Sequence, residues 1–152
     1  MNLYAHPETW SFILRRYLPR LAICSLAWEV VQLPLYTLWA DPRPARIGYA
    51  VVHCTAGDVL IGMAALFLAL ILNGAGARAG LPENRIVIWT IVAAVAYTVW
   101  SELINLAQGN WTYSAWMPVL PGIDVGLAPL LQWIVVPLAA WRWANRQRPT
   151  PA

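Results

Sequence analysis

Four apolar blocks, each near the ~20 residues with which a helix crosses ~30 Å of hydrocarbon, constrain this chain more than any motif in it. They occupy about 21–40, 48–72, 85–107 and 125–143. Soluble domains carry roughly 25% charged residues and about half apolar ones, whereas this chain has 11% charged and 60% hydrophobic residues. The sequence therefore predicts an all-α polytopic membrane protein, with four transmembrane helices forming one bundle and a single membrane domain over 1–152. An interfacial N-terminal segment, about 9–19, precedes the first span. Its string WSFILRRYLPR is too long and too aromatic for the charged region of a signal peptide, so no cleavage is expected. The loop GNWTYSAWMPVLPGID between the third and fourth spans has the Trp and Tyr content of a segment lying in the membrane interface.

The ten basic residues fall at the ends of the spans rather than in a patch that would suit nucleic acid. Arg15, Arg16, Arg20, Arg78, Arg85, Arg142, Arg146 and Arg148 lie on one side of the predicted topology, against Arg43 and Arg46 on the other. Cytoplasmic loops hold the excess of positive charge, so both termini and the linker from Asn73 to Arg85 are expected in the cytoplasm. All ten are arginine, a usage associated with GC-rich bacterial genomes, and the expected location is a bacterial inner membrane. Pro82 is placed to start the third helix. Pro34 removes a backbone donor, predicting a kink just past Glu29; a bend is also expected near Pro19. The tail RQRPTPA is expected to be disordered.

Polar residues gather toward the outer ends of the spans. At ~1.5 Å per residue, Glu29, Gln32, His53, Asp58, Glu102, Asn105 and Gln132 all lie about 3–17 Å below those ends. Ser25, Glu29, Gln32 and Tyr36 follow helical spacing on the first span, and Thr98, Ser101, Glu102 and Asn105 do so on the third. His53 and Asp58 are about 140° apart at 100° per residue, so the string HCTAGD does not make them partners. Gly57 and Gly62 offer close approach to a neighbouring helix beside Asp58. Glu29, Asp58 and Glu102 thus enter the membrane with no Arg or Lys at the same depth. An acid at the middle of a membrane helix costs about 2.5–3.5 kcal/mol on insertion scales, and such residues mark sites by default.

These residues support three readings of different class. The leading one is a pocket that binds a lipophilic small molecule, isoprenoid-like or lipid, or acts on it by acid/base chemistry. Glu29, Asp58 and Glu102 would be its proton carriers and His53 a relay, with Gln32, Asn105, Trp111, Tyr113 and Gln132 as ligand contacts. The second is an accessory or structural subunit whose polar stripes pair with another membrane chain or a second copy of itself. The third is a cation or proton site on the same acids and His53. Cys54 lacks a second thiol at ligand spacing, and no metal or cofactor is expected.

His53-Cys54-Thr55-x-Gly57-Asp58, with Ser101-Glu102, Trp111-x-Tyr113, Met117-Pro118 and GLAPLLQWIVVP, resembles a group of small proteobacterial four-helix inner-membrane proteins. That resemblance covers most of the chain and implies the topology. Gly109-x-Trp111-x-Tyr113, followed by Pro129-Leu130 at a helix start, more faintly resembles carotenoid (lycopene) cyclase-type membrane domains. This second resemblance implies a pocket for an isoprenoid or other lipid. The acidic pair expected after Pro-Leu is replaced by Leu131-Gln132, which counts against cyclase chemistry itself.

Overall fold

The structure, a computed structural model, describes residues 7–73 and 83–146. Most of the linker from Asn73 to Arg85, with Pro82, and all but the first residue of the tail lie outside the described residues. What is described is helical: α1 Pro7–Phe12, a π-helical turn Ile13–Tyr17, α2 Leu18–Gln32, α3 Pro44–Leu72, α4 Glu83–Gln108 and α5 Leu127–Arg146. No β-strand occurs among the described residues; isolated bridges join Tyr36 to Tyr113 and Val119 to Gly126. Three helical stretches are long and apolar enough to cross a membrane, namely Trp10–Leu35, Pro44–Leu72 and Asn84–Gln108. α5 is shorter and interrupts its apolar run with Gln132, Arg142 and Asn145.

The first helix departs from expectation at both ends. On the N-terminal side, α1, the π-helical turn and α2 form one helical run, with no break between the segment predicted at 9–19 and the first span. Pro19 sits in the first turn of α2, just past the π-helical turn, and its missing N–H leaves a carbonyl of that turn without an intrahelical partner. At the other end the α-helix stops at Gln32 instead of near residue 40. A 3-10 turn, Leu33–Leu35, follows. Tyr36 is then extended, with φ −112° and ψ 148°, before a second 3-10 turn, Thr37–Ala40. Pro34 thus ends the helix rather than kinking it.

Backbone exposed by such a break is tolerated at membrane depth only when protein groups satisfy it. Here the loop after α4 does so. Ser114 N donates to Leu35 O at 2.9 Å and Thr37 N to Thr112 O at 3.0 Å, while Ser114 Oγ donates to Pro34 O at 3.0 Å. The loop reaches this position because Gly109, at φ 69°, ends α4. Asn110 N folds back onto Asn105 O at 3.0 Å, the left-handed glycine termination that turns a chain sharply out of a helix.

α2 packs on α3 and α5, and α4 packs on the same two helices. Lipid tails supply no hydrophobic drive between helices, so close van der Waals packing on small residues must hold them. The buried positions match that need. Ala65, Ala94 and Trp133 form one packed cluster, and Leu21, Val136 and Ala140 another. A Cβ on Gly62 would lie 2.9 Å from Leu21 Cδ2 and 3.5 Å from the Trp133 ring, so this glycine lets α2 and α5 close onto α3. Large apolar side chains such as Val31, Val52, Leu60 and Ile71 are left exposed, as a lipid-facing surface requires.

Candidate functional site

Where α2, α3 and α5 meet, Glu29 and Asp58 face each other closely enough to interact, with Gln132 beside them. Gln132 Nε2 donates to Asp58 Oδ2 at 2.5 Å. On α2 the helical spacing read from the sequence becomes a chain of donors: Trp28 Nε1 donates to Gln32 Oε1 at 3.0 Å, and Gln32 Nε2 donates to Glu29 Oε1 at 2.8 Å. All four polar residues are at least nine-tenths buried. Two carboxyl groups are therefore held side by side by primary amides.

Glu102 is turned elsewhere. It is buried on α4 and accepts from Trp111 Nε1 at 3.3 Å and from the Tyr113 hydroxyl. That hydroxyl in turn accepts from Gly126 N at 2.9 Å. Burial, with the Glu102 carboxyl close by, pushes the Tyr113 hydroxyl well above its ordinary value, keeping its proton for donation. Gly126 allows the approach, since a Cβ there would meet Tyr113 Cζ and Met117 Sδ at 3.0 Å. Tyr36 packs edge-on against Tyr113 at 5.5 Å. These contacts fasten the loop from Gly109 to Gly126 over the break in the first helix.

Both acidic centres line one cavity of about 1020 Å³. Of the residues singled out from the sequence, Glu29, Gln32, His53, Asp58, Glu102, Asn105, Trp111 and Gln132 face it. Tyr113 is not among its lining residues, and its part is the clamp on Glu102. His53 stands apart from the acid pair, exposed and stacked on Tyr49 at 5.5 Å. Asn105 bonds back to its own helix, donating from Nδ2 to Ser101 O at 2.8 Å. At the cavity mouth Asp41 accepts from Arg43 Nε at 3.0 Å and from Arg46 Nη1 at 2.8 Å. The hydrogen bonds from Arg43, with Arg46 nearby, hold the Asp41 carboxyl down at about 2.

Among the lining residues not singled out from the sequence, Trp133 and Tyr49 stand out. Trp133, 2% exposed, donates from Nε1 to Thr98 Oγ1 at 2.6 Å and forms a wall beside Gly62. A tryptophan at mid-helix whose N–H needs a partner was the available signal. Tyr49 precedes His53 by one helical turn, and that i, i+4 spacing pointed to their stacking. Gly57 was expected to admit a neighbouring helix, as Gly62 does. It lines the cavity instead, and a Cβ there meets nothing within 4 Å. Among the described residues no three His, Cys, Asp or Glu side chains come close enough to hold a metal ion. No family model matches the chain, and no match is found among curated proteins or solved structures.

Proposed function

We propose that the cavity binds a lipophilic small molecule whose polar end is received by Glu29 and Asp58, in a protein whose four long helices all cross a bacterial inner membrane. The observation that carries this reading is the acid pair opening onto a cavity of about 1020 Å³, at the upper end of the roughly 300–1,000 Å³ of small-molecule sites. Support for the topology comes from the eight arginines on one side against two on the other, which puts the helix ends flanked by the eight in the cytoplasm. The cavity then faces the outer leaflet, beneath the loop from Gly109 to Gly126. Acid/base chemistry on the bound molecule would use the same pair, one carboxyl donating a proton while its neighbour accepts one.

A cation site receives less support. Broken membrane helices coordinate cations through freed carbonyls, but here the Pro34 and Leu35 carbonyls are engaged by Ser114. For an accessory subunit, a partner chain in gentle-detergent preparations is the discriminating observation.

Native mass spectrometry of the protein purified in lipid nanodiscs tests the reading. A bound small molecule is expected on the wild type, with occupancy reduced by more than about tenfold in a Glu29→Gln/Asp58→Asn variant, because a buried polar recognition group has been removed. Equal retention by a folded variant would take the acid pair out of the site.

A further inference from the structure

The chemistry around the cavity selects the kind of polar group it receives. Resting on the reading of the cavity as a ligand site, we infer that its ligand is a lipophilic amine, with the ammonium group placed between the acid pair and the aromatic wall. Carboxyl groups alone occur at many helix contacts and would define no ligand. Here they share one cavity with an aromatic wall, the rings of Tyr36 and Trp111. Rings of this kind attract a cation placed within about 6 Å of their faces.

The polar inventory points the same way. The amide and indole groups nearest the carboxyls each point an N–H at them, with Gln132 on Asp58, Gln32 on Glu29 and Trp111 on Glu102. An ionised carboxyl accepts at about four lone-pair sites, more than these bonds fill. Acceptor oxygen on the acids is therefore left for a ligand. Arg46, the arginine of the lining, is tied to Asp41 at 2.8 Å and lies twelve residues, about 18 Å of helix, from Asp58. A carboxylate or phosphate lipid would bring like charge against Glu29 and Asp58, whereas a neutral alcohol would offer one donor and no charge. An ammonium offers three donors and the opposite charge.

Three probes with the same twelve-carbon chain separate these cases: dodecylamine, dodecanol and dodecanoate, each added at neutral pH to the protein in nanodiscs of zwitterionic phosphatidylcholine. Native mass spectrometry reads the adducts. Dodecylamine is expected to occupy the protein about tenfold more than either alternative, and the Glu29→Gln/Asp58→Asn variant to lose that preference. Dodecanol or dodecanoate binding as well as the amine would overturn the amine assignment and leave the cavity as a lipophile site. A preference that survives in the variant would also overturn it, because the acids would not be its source. Absence of adducts with all three probes would overturn the cavity's role along with the assignment.

Discussion

Glu29 with Asp58 and Glu102 are two acidic centres of one cavity, built from the same residue types at similar burial and supplied with different partners. The pair on α2 and α3 is held by primary amides from Gln32 and Gln132. Glu102 is held by an indole and a phenol from a loop, Trp111 and Tyr113, and the phenol is itself fixed by Gly126 N. A carboxyl whose partners all belong to a folded-back loop serves to hold that loop down. A carboxyl pair supported from behind by amides, with space in front, can receive a ligand. The type of residue buried in the membrane thus says less about its role than the direction its bonds run.

Breaking the Glu102 centre should cost the fold more than the ligand chemistry. Glu102→Ala leaves the partly buried Tyr113 hydroxyl and Trp111 N–H without their acceptor, each loss costing on the order of 1 kcal/mol. The expected result is a lowered Tm in detergent and faster proteolysis in the loop from Gly109 to Gly126; unchanged values for both would show that Glu102 does not hold the loop. A smaller effect comes from Trp133→Phe, which keeps an aromatic ring of smaller size and deletes the hydrogen bond to Thr98. The lost bond contributes about 1 kcal/mol of destabilisation and the space left by the smaller ring adds to it, read from a denaturation midpoint, and Thr98→Val combined with it should add little because both remove the same bond.

The smallest effect lies at the cavity mouth. Asp41 has its carboxyl lowered from 3.8 to about 2 by Arg43 and Arg46. A folded-state value below the unfolded one contributes stability that is fully present above the unfolded value and lost as pH falls through the folded one. Asp41→Asn should therefore lower Tm slightly near neutral pH. The difference from wild type should shrink below pH 4 and vanish near pH 2 in a pH series of melting curves. Exposed pairs are worth little, so this variant also sets the floor against which the other two are judged.

Much of this arrangement was legible in the chain, and the illegible part has identifiable causes. Apolar length located α3 and α4, and helical spacing placed Glu29 with Gln32 because partners one turn apart are written locally. Asp58 and Gln132 are 74 positions apart, and no periodicity joins residues on separate helices. The end of the first helix was misread for a related reason: hydropathy registers side chains, while the break at Tyr36 is a backbone event. Its compensation comes from Ser114, 80 positions from Pro34. The role of Tyr113 was hidden by Gly109, whose turn brings a residue eleven positions along back against Glu102.

Gly57→Leu tests the central claim, that the space in front of the acid pair is a ligand site, without touching a carboxyl. A side chain at Gly57 has open space within 4 Å and projects where the cavity is lined. The account predicts that native mass spectrometry of this variant, folded with a Tm near that of the wild type, shows the bound small molecule lost. Undiminished ligand occupancy on the folded variant would contradict it, because the molecule would then be held somewhere else.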